Sequence, residues 1–260
     1  RTYGHRYRLF DLKPAHLCFD YAEMRSHFKK AKLKPVKIAL TGGGRVASGA
    51  IEVLEQMRIK QVNINDFLNK TFSYPVFTQV HSEHFHTKKG SKFFDKKDFF
   101  KNPQNYESHF MSFAQQADIL VACAYWNPSA PLLFTKQQMR QSNFKIKVIG
   151  DITCDINGSI PSTLRSSSID NPVYDYNPFS EDLEVPYSSE KNVTVMAIDN
   201  LPCELARDAS SDFGTQLISK VFSEIFSSKP ATTLLKATIV NNGNLTDSYQ
   251  YLSTYAGLKV

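Results

Sequence analysis

The sequence predicts an α/β fold with a doubly wound parallel sheet. Short runs at 36–40, 119–124 and 147–152 are apolar almost throughout, helix-patterned segments separate them, and a glycine turn joins the first run to a helix. Strands with no polar face are buried on both sides, as happens when crossover helices cover both faces of a parallel sheet.

Taken in chain order, Tyr3, Tyr7 and Phe10 recur at helix-like spacing, so the chain starts in what reads as the middle of a longer polypeptide. Met24, Phe28 and Leu33 place an amphipathic helix over 22–33, ending before Pro35 because the residue before a proline disfavours the helical region. Residues 36–40 form the first strand, 41–44 the glycine turn, and Val46, Ile51, Val53, Leu54 and Met57 the apolar stripe of the next helix. The second strand lies at either 61–64 or 76–80. Residues 81–105 are polar, basic and Phe-containing without a period, and predict no element. A helix over 106–117, a buried strand at 119–124, a helix over 135–141 and a buried strand at 147–152 follow. Residues 159–189, rich in Ser, Pro and Asp, read as an extended surface connection. A strand at 193–198, a Pro-containing turn and a helix over 209–226 complete the pattern.

Composition excludes several classes. With 42% hydrophobic and 12% aromatic residues among 260, the chain can bury a sizeable core and is not disordered. Lys and Arg exceed Asp and Glu by 31 to 25, but both signs are interleaved along the chain, which argues against a nucleic-acid partner. No apolar run is long enough to span a bilayer, and the N-terminus lacks a signal-peptide succession. Cys18, Cys123, Cys154 and Cys203 lie far apart without metal-type spacing, in segments that read as buried, so a reduced, cytoplasmic protein is expected.

Gly42, Gly44 and Ala47 spell Gly-x-Gly-x-x-Ala between a buried strand and a helix, the Rossmann-type dinucleotide fingerprint. Gly42 allows the tight turn, Gly44 lets backbone approach a pyrophosphate, and Ala47 lets the helix pack close to the sheet. The helix N-terminus offers unpaired N–H groups to the anion. An acid ending the second strand would select NAD by binding the adenine ribose. Here 76–80 is followed by His81, His84, His86, Lys88 and Lys89, with Glu83 the sole acid, so the surroundings lean to NADP over NAD. With no Cys or second His pair beside them, these histidines suit a phosphate-facing or exposed basic loop, and no metal is expected. Asp151 and Asp155 bracket the end of a central strand, where they either reach the ligand crevice or cap the following turn. Cys154 reads as a buried filler, and Asp199 and Asn200 either reach the crevice or cap the next helix.

Several motifs in order carry a family resemblance: the run from Asp151 to Asp155 with Gly158 to Ile160, Met196 to Pro202, Arg207 to Ser210, Tyr106 to Phe110, Tyr125 with Trp126, and Asn242 to Asp247. Over 36–252 the chain resembles the lysine-forming saccharopine dehydrogenases, nearest to their lysine–ketoglutarate reductase branch, in the alanine dehydrogenase and transhydrogenase superfamily. The resemblance implies that Gly44 and Arg45 line the cofactor phosphates, with Gly42 and Val46 also cofactor-binding, and that Tyr125 and Ile152 pack on the cofactor. It implies further that Ile198, Asp199, Asn200 and Leu201 border the nicotinamide and that Thr153, Cys154 and Asp155 contact substrate. The implied reaction is the NAD(P)-dependent reductive condensation of lysine with 2-oxoglutarate, or its reverse. The implied partners are small amino acids and 2-oxo acids, with a homo-oligomer possible. The family's catalytic Lys and His lie in an N-terminal domain with no matching segment here, so catalytic residues are expected outside this chain. On this reading, 1–34 leads in from that domain, 35–198 binds NAD(P), and 199–260 returns to the catalytic domain. An alanine dehydrogenase-like enzyme and a non-catalytic cofactor-binding module are the rival readings.

Overall fold

The computed structural model describes residues 1–227 and 232–258. Residues 228–231 and 259–260, inside the expected 199–260 segment, lie outside the described residues. The chain divides into two compact units, Arg1–Leu205 and Ala206–Val260.

The first unit is built on an eight-stranded sheet. In chain order its strands and those of a small hairpin are β1 (Lys37–Thr41), β2 (Lys60–Gln61), β3 (Val76–Val80), β4 (His86–Lys88), β5 (Tyr106–Ser108), β6 (Ile119–Ala122), β7 (Val148–Asp151), β8 (Tyr174–Tyr176), β9 (Leu183–Glu184) and β10 (Val193–Met196). The large sheet runs β2-β3-β1-β6-β7-β10-β8-β9. Every pairing from β2 to β10 is parallel, whereas β8 and β9 add on antiparallel. Of the two candidates for the second strand, 76–80 is β3, beside β1, whereas 61–64 is strand only at Gln61, the end of β2, and Ile64 begins a helix.

Alternation along the strands explains why these runs are apolar almost throughout. Ile38 and Leu40 enter one core with Ala47, Leu54 and Phe77, joined by Ile119 and Val121. Ala39, between them, enters the other with Leu120, Ala122, Phe113 and Ile149. Successive side chains point to opposite faces, so a strand covered on both sides buries nearly every position, and even the polar Lys37 and Thr41 of β1 are buried. Helix Arg45–Gln56 covers the first core, with Ala47 fully buried against the sheet.

Three expectations are corrected. Residues 106–108 are not helical: they form β5, antiparallel to β4, and only Met111–Ala114 is helix. Tyr106 is buried among Phe94 and Phe99, and its hydroxyl donates to Asp98 Oδ2 at 3.0 Å, so aromatic packing outweighs local helical pattern. Much of 159–189 is not a surface connection. Ile160, Ser162, Thr163, Ser167 and Asp175 are buried, and the stretch supplies β8 and β9. Two of its buried hydroxyls bond within the fold: Thr163 Oγ1 donates to Asp151 Oδ2 at 2.6 Å, and Ser167 Oγ accepts from the Ala197 amide at 3.2 Å. Polar composition therefore did not mean exposure. Finally, Cys203 is exposed, unlike buried Cys18 and Cys123. It sits in a short 3-10 turn, Leu201–Leu205, none of whose residues is buried.

The second unit comprises helix Ala206–Leu217, continuing through a π-helical turn at Ile218–Phe222 into Ser223–Ile225, then helix Thr232–Ala237. A hairpin pairs Val240–Asn241 with Asn244–Leu245, and a 3-10 helix covers Asp247–Leu252. None of its described residues is buried.

Candidate functional site

The strand order reverses at β1, whose neighbours β3 and β6 lead away in opposite directions. Open α/β sheets bind ligands at such a point, outside the carboxyl ends of the strands. Those ends are held in register by backbone bonds from the Gly42 amide to Val80 O (3.0 Å), the Cys123 amide to Thr41 O (3.2 Å) and the Ile152 amide to Ala122 O (3.1 Å). Above them opens a cleft of about 750 Å³.

Gly42 has φ +102°, and a Cβ there would lie 2.9 Å from the backbone carbon and oxygen of Cys123. Only glycine fits a turn that passes so close to the neighbouring strand. Gly44 differs: it is the N-cap of helix Arg45–Gln56, in ordinary extended geometry, and a Cβ there would meet no atom within 4 Å. Open space therefore fronts a helix N-terminus whose cap offers no side chain, while the first-turn N–H groups have no intrahelical acceptor. A pyrophosphate fits that geometry and that partial positive charge.

The cleft brings together Gly42, Gly44, Arg45 and Val46 from the turn and helix, Tyr125 from the segment after β6, and Ile152, Thr153 and Asp155 from the segment after β7. Ile198, Asp199, Asn200 and Leu201 do not line it. Ile198 and Leu201 line a groove with Val121 and Met196, and Asp199 lines another with Arg165. Cys154 also stays out of the cleft. Its backbone has φ +55°, and its thiol donates to Ala197 O at 2.9 Å and packs against the larger core. Burial first, then Asp151, Asp199 and Asp155, pushes its pKa up and keeps it a protonated thiol.

The two aspartates of this stretch divide the readings between them. Asp151 is buried and caps the turn: Oδ1 accepts from Thr153 N (3.1 Å), Thr153 Oγ1 (2.6 Å) and Cys154 N (3.3 Å). Asp155 faces the cleft, its pKa raised by burial and then by Asp151. A carboxylate so placed gains most from a cationic ligand group, which would favour its charged form.

Other cleft residues come from the segment with no readable period. His81, Glu83, Lys96 and Phe99 all line it. The sequence signalled the first two through their place after β3; nothing signalled Lys96 or Phe99. The three histidines have three fates. His81 lies in the cleft against Gly43, His84 Nδ1 accepts from the His81 amide at 2.9 Å, and His86 is buried between Phe85 and Phe99. Among the described residues, neither ring nitrogen of His86 has a hydrogen-bond partner, and burial lowers its pKa to about 4.

The family described as Alanine dehydrogenase/PNT, C-terminal domain, matches residues 24–250. The chain is 29% identical over 244 residues to an alpha-aminoadipic semialdehyde synthase of Arabidopsis thaliana, covering 84% of this chain and 23% of that protein. It is 27% identical over 250 residues to the mitochondrial alpha-aminoadipic semialdehyde synthase of Mus musculus, covering 84% and 27%. It is also 29% identical over 109 residues to a saccharopine dehydrogenase [NAD(+), L-lysine-forming] of Schizosaccharomyces pombe, covering 40% and 27%. The chain thus spans about a quarter of the length of the curated relatives it matches. Among the described residues, no helix is long and apolar enough to cross a membrane. The parallel sheet, the glycine turn at its switch point and a match over most of the sequence lead to one conclusion: the chain belongs to the alanine dehydrogenase/PNT C-terminal domain family of oxidoreductases.

Proposed function

We propose that this chain is the NAD(P)-binding part of a saccharopine dehydrogenase-like oxidoreductase that reductively condenses lysine with 2-oxoglutarate, or runs the reverse reaction. The observation that carries this reading is the cleft over β1 and β6, in which the helix N-terminus at Gly44 meets Tyr125, Ile152 and Asp155. The relatives named alpha-aminoadipic semialdehyde synthase favour this substrate class over a small amino acid with ammonia. Bound nicotinamide would supply hydride transfer. The chain's own residues would do the holding: amides of the first helical turn for the pyrophosphate, Arg45 for phosphate charge, and Tyr125 and Ile152 for packing. Asp155, with Thr153 beside it, would meet a cationic group of the amino acid. Ile198, Asp199, Asn200 and Leu201, outside the cleft, would reach the nicotinamide only through rearrangement on binding.

The cofactor proposed is NADP. His81 and Lys96 flank the cleft beyond β3, with Glu83 the acid among them, and a 2′-phosphate suits that balance. Free thiols at all four cysteines suit a reducing compartment, the cytoplasm being our proposal. Calorimetric titration with NADPH and NADH in parallel tests the reading. NADPH is expected to bind more tightly, and Lys96→Ala to weaken NADPH by about tenfold while leaving NADH unchanged. Equal affinity for both, unaffected by Lys96→Ala, would remove the NADP assignment, and binding of neither would remove the cofactor site.

A further inference from the structure

Away from the cleft, the segment before β1 gathers three side chains of metal-ligating chemistry. Cys18 leads into helix Tyr21–Ser26, Glu23 lies in its first turn, and His27 is its C-cap, one helical turn beyond Glu23. One ligand atom from each lies within 4.8 Å of the others, the single such cluster among the described residues. We propose that Cys18, Glu23 and His27 form a zinc site with its fourth position left to water.

Geometry carries the proposal. Tetrahedral zinc with bonds of about 2.0–2.3 Å separates its ligand atoms by roughly 3.3–3.8 Å. His27 Nε2 and Glu23 Oε1 are 3.9 Å apart, so closure around an ion needs movements of about an ångström or less. His27 Nε2 is buried and, among the described residues, has no hydrogen-bond partner, with the Glu23 carboxylate its near neighbour. Cys18 is only 9% exposed, its Sγ 3.5 Å from Pro14 O, while the Glu23 and His27 side chains beside it are partly exposed.

Charge and ligand type select the ion. A thiolate and a carboxylate with a neutral imidazole carry two negative charges, balanced by a divalent cation, and sulfur with nitrogen disfavours calcium and magnesium. On binding, the Cys18 S–H bond breaks, its proton leaves to solvent and the sulfur pair forms the bond to zinc. Two groups already use Glu23. Lys13 Nζ lies 2.5 Å from Oε1, and the Phe19 amide donates to Oε2 at 2.7 Å. Zinc would displace the Lys13 ammonium, which is 38% exposed and can turn to solvent, while the Phe19 bond stays to orient the carboxylate.

Cobalt(II) replaces zinc as the optical probe of this chain. One cobalt per chain is expected, with a thiolate-to-cobalt charge-transfer band. Cys18→Ser should abolish the band, His27→Gln should weaken binding at least about tenfold, and Lys13→Met should tighten it. In the unaltered chain, zinc should slow alkylation of Cys18, mapped by peptide mass spectrometry, and leave exposed Cys203 unaffected. This measurement holds even where Cys18→Ser fails to fold. Absence of the band, its survival in Cys18→Ser, or unchanged Cys18 alkylation with zinc would overturn the site.

Discussion

The two glycines of the β1 turn should separate stability from binding. In Gly42→Ala, the new Cβ meets the Cys123 carbonyl at 2.9 Å and Ala124 N at 3.0 Å, all backbone atoms, at φ +102°. A non-glycine residue in such a conformation costs about 1–3 kcal/mol. Overpacking against a strand that cannot retreat costs roughly another 1–3 kcal/mol. The sum, about 2–6 kcal/mol, lowers Tm by roughly 5–20 °C for a unit of this size. Gly44→Ala meets no described atom within 4 Å at an ordinary φ of −92° and loses only the preference for glycine over alanine at an N-cap, so its Tm should fall by no more than about 3 °C. On the proposed placement, the same methyl occupies the space a pyrophosphate needs, and cofactor affinity falls. Calorimetric unfolding and nicotinamide titration of both variants make the test. A Gly42→Ala protein melting within about 2 °C of the parent, or a Gly44→Ala protein as destabilised as Gly42→Ala, would refute the reasoning.

Other perturbations follow from buried charge. Arg6 donates to Thr194 Oγ1 (2.6 Å), Asn192 O (2.7 Å) and Ser189 O (2.8 Å) and pairs with fully buried Asp175. Arg6→Ala strands that carboxylate and should cost about 3–5 kcal/mol in urea unfolding. Asp151→Ala leaves the buried Thr163 hydroxyl and the Thr153 and Cys154 amides without their acceptor. It should destabilise by about 2–4 kcal/mol, with Asp151→Asn milder, measured by the same unfolding. His86 is held neutral by burial, its pKa lowered from 6.5 to about 4. Between those values the unfolded chain binds the proton and the folded one does not, so stability rises with pH. The contribution, up to about 3 kcal/mol, is complete above pH 6.5 and is lost as pH falls towards 4. His86→Phe should flatten the unfolding free energy across that window, and an unchanged slope would show that His86 is not responsible.

The parallel core and the start of the cleft were legible in the chain alone. At β1, β6 and β7 the runs are mostly apolar because both sheet faces are covered, a condition written locally in each strand. The turn at Gly42 and the helix beginning at Arg45 were equally readable, because turn and helix start depend on residues adjacent in the chain. The same holds for the helix start after Thr135, whose hydroxyl accepts from the Gln138 amide while the Gln138 side chain accepts from the Thr135 amide. The remaining features are non-local, and only the folded chain settles them. Whether Tyr106 sits in a helix or a strand depended on Asp98, Phe94 and Phe99. Whether Ser167 and Thr163 faced water depended on Ala197, just past β10, and Asp151, at the end of β7. Lys96 reaches the cleft, and Ile198 to Leu201 stay outside it, for the same reason: position at a sheet edge is set by strand order and hairpin packing. A periodic pattern records only whether a residue is buried. Its partners are fixed when distant segments close on one another, and that information resides in no single stretch of the chain.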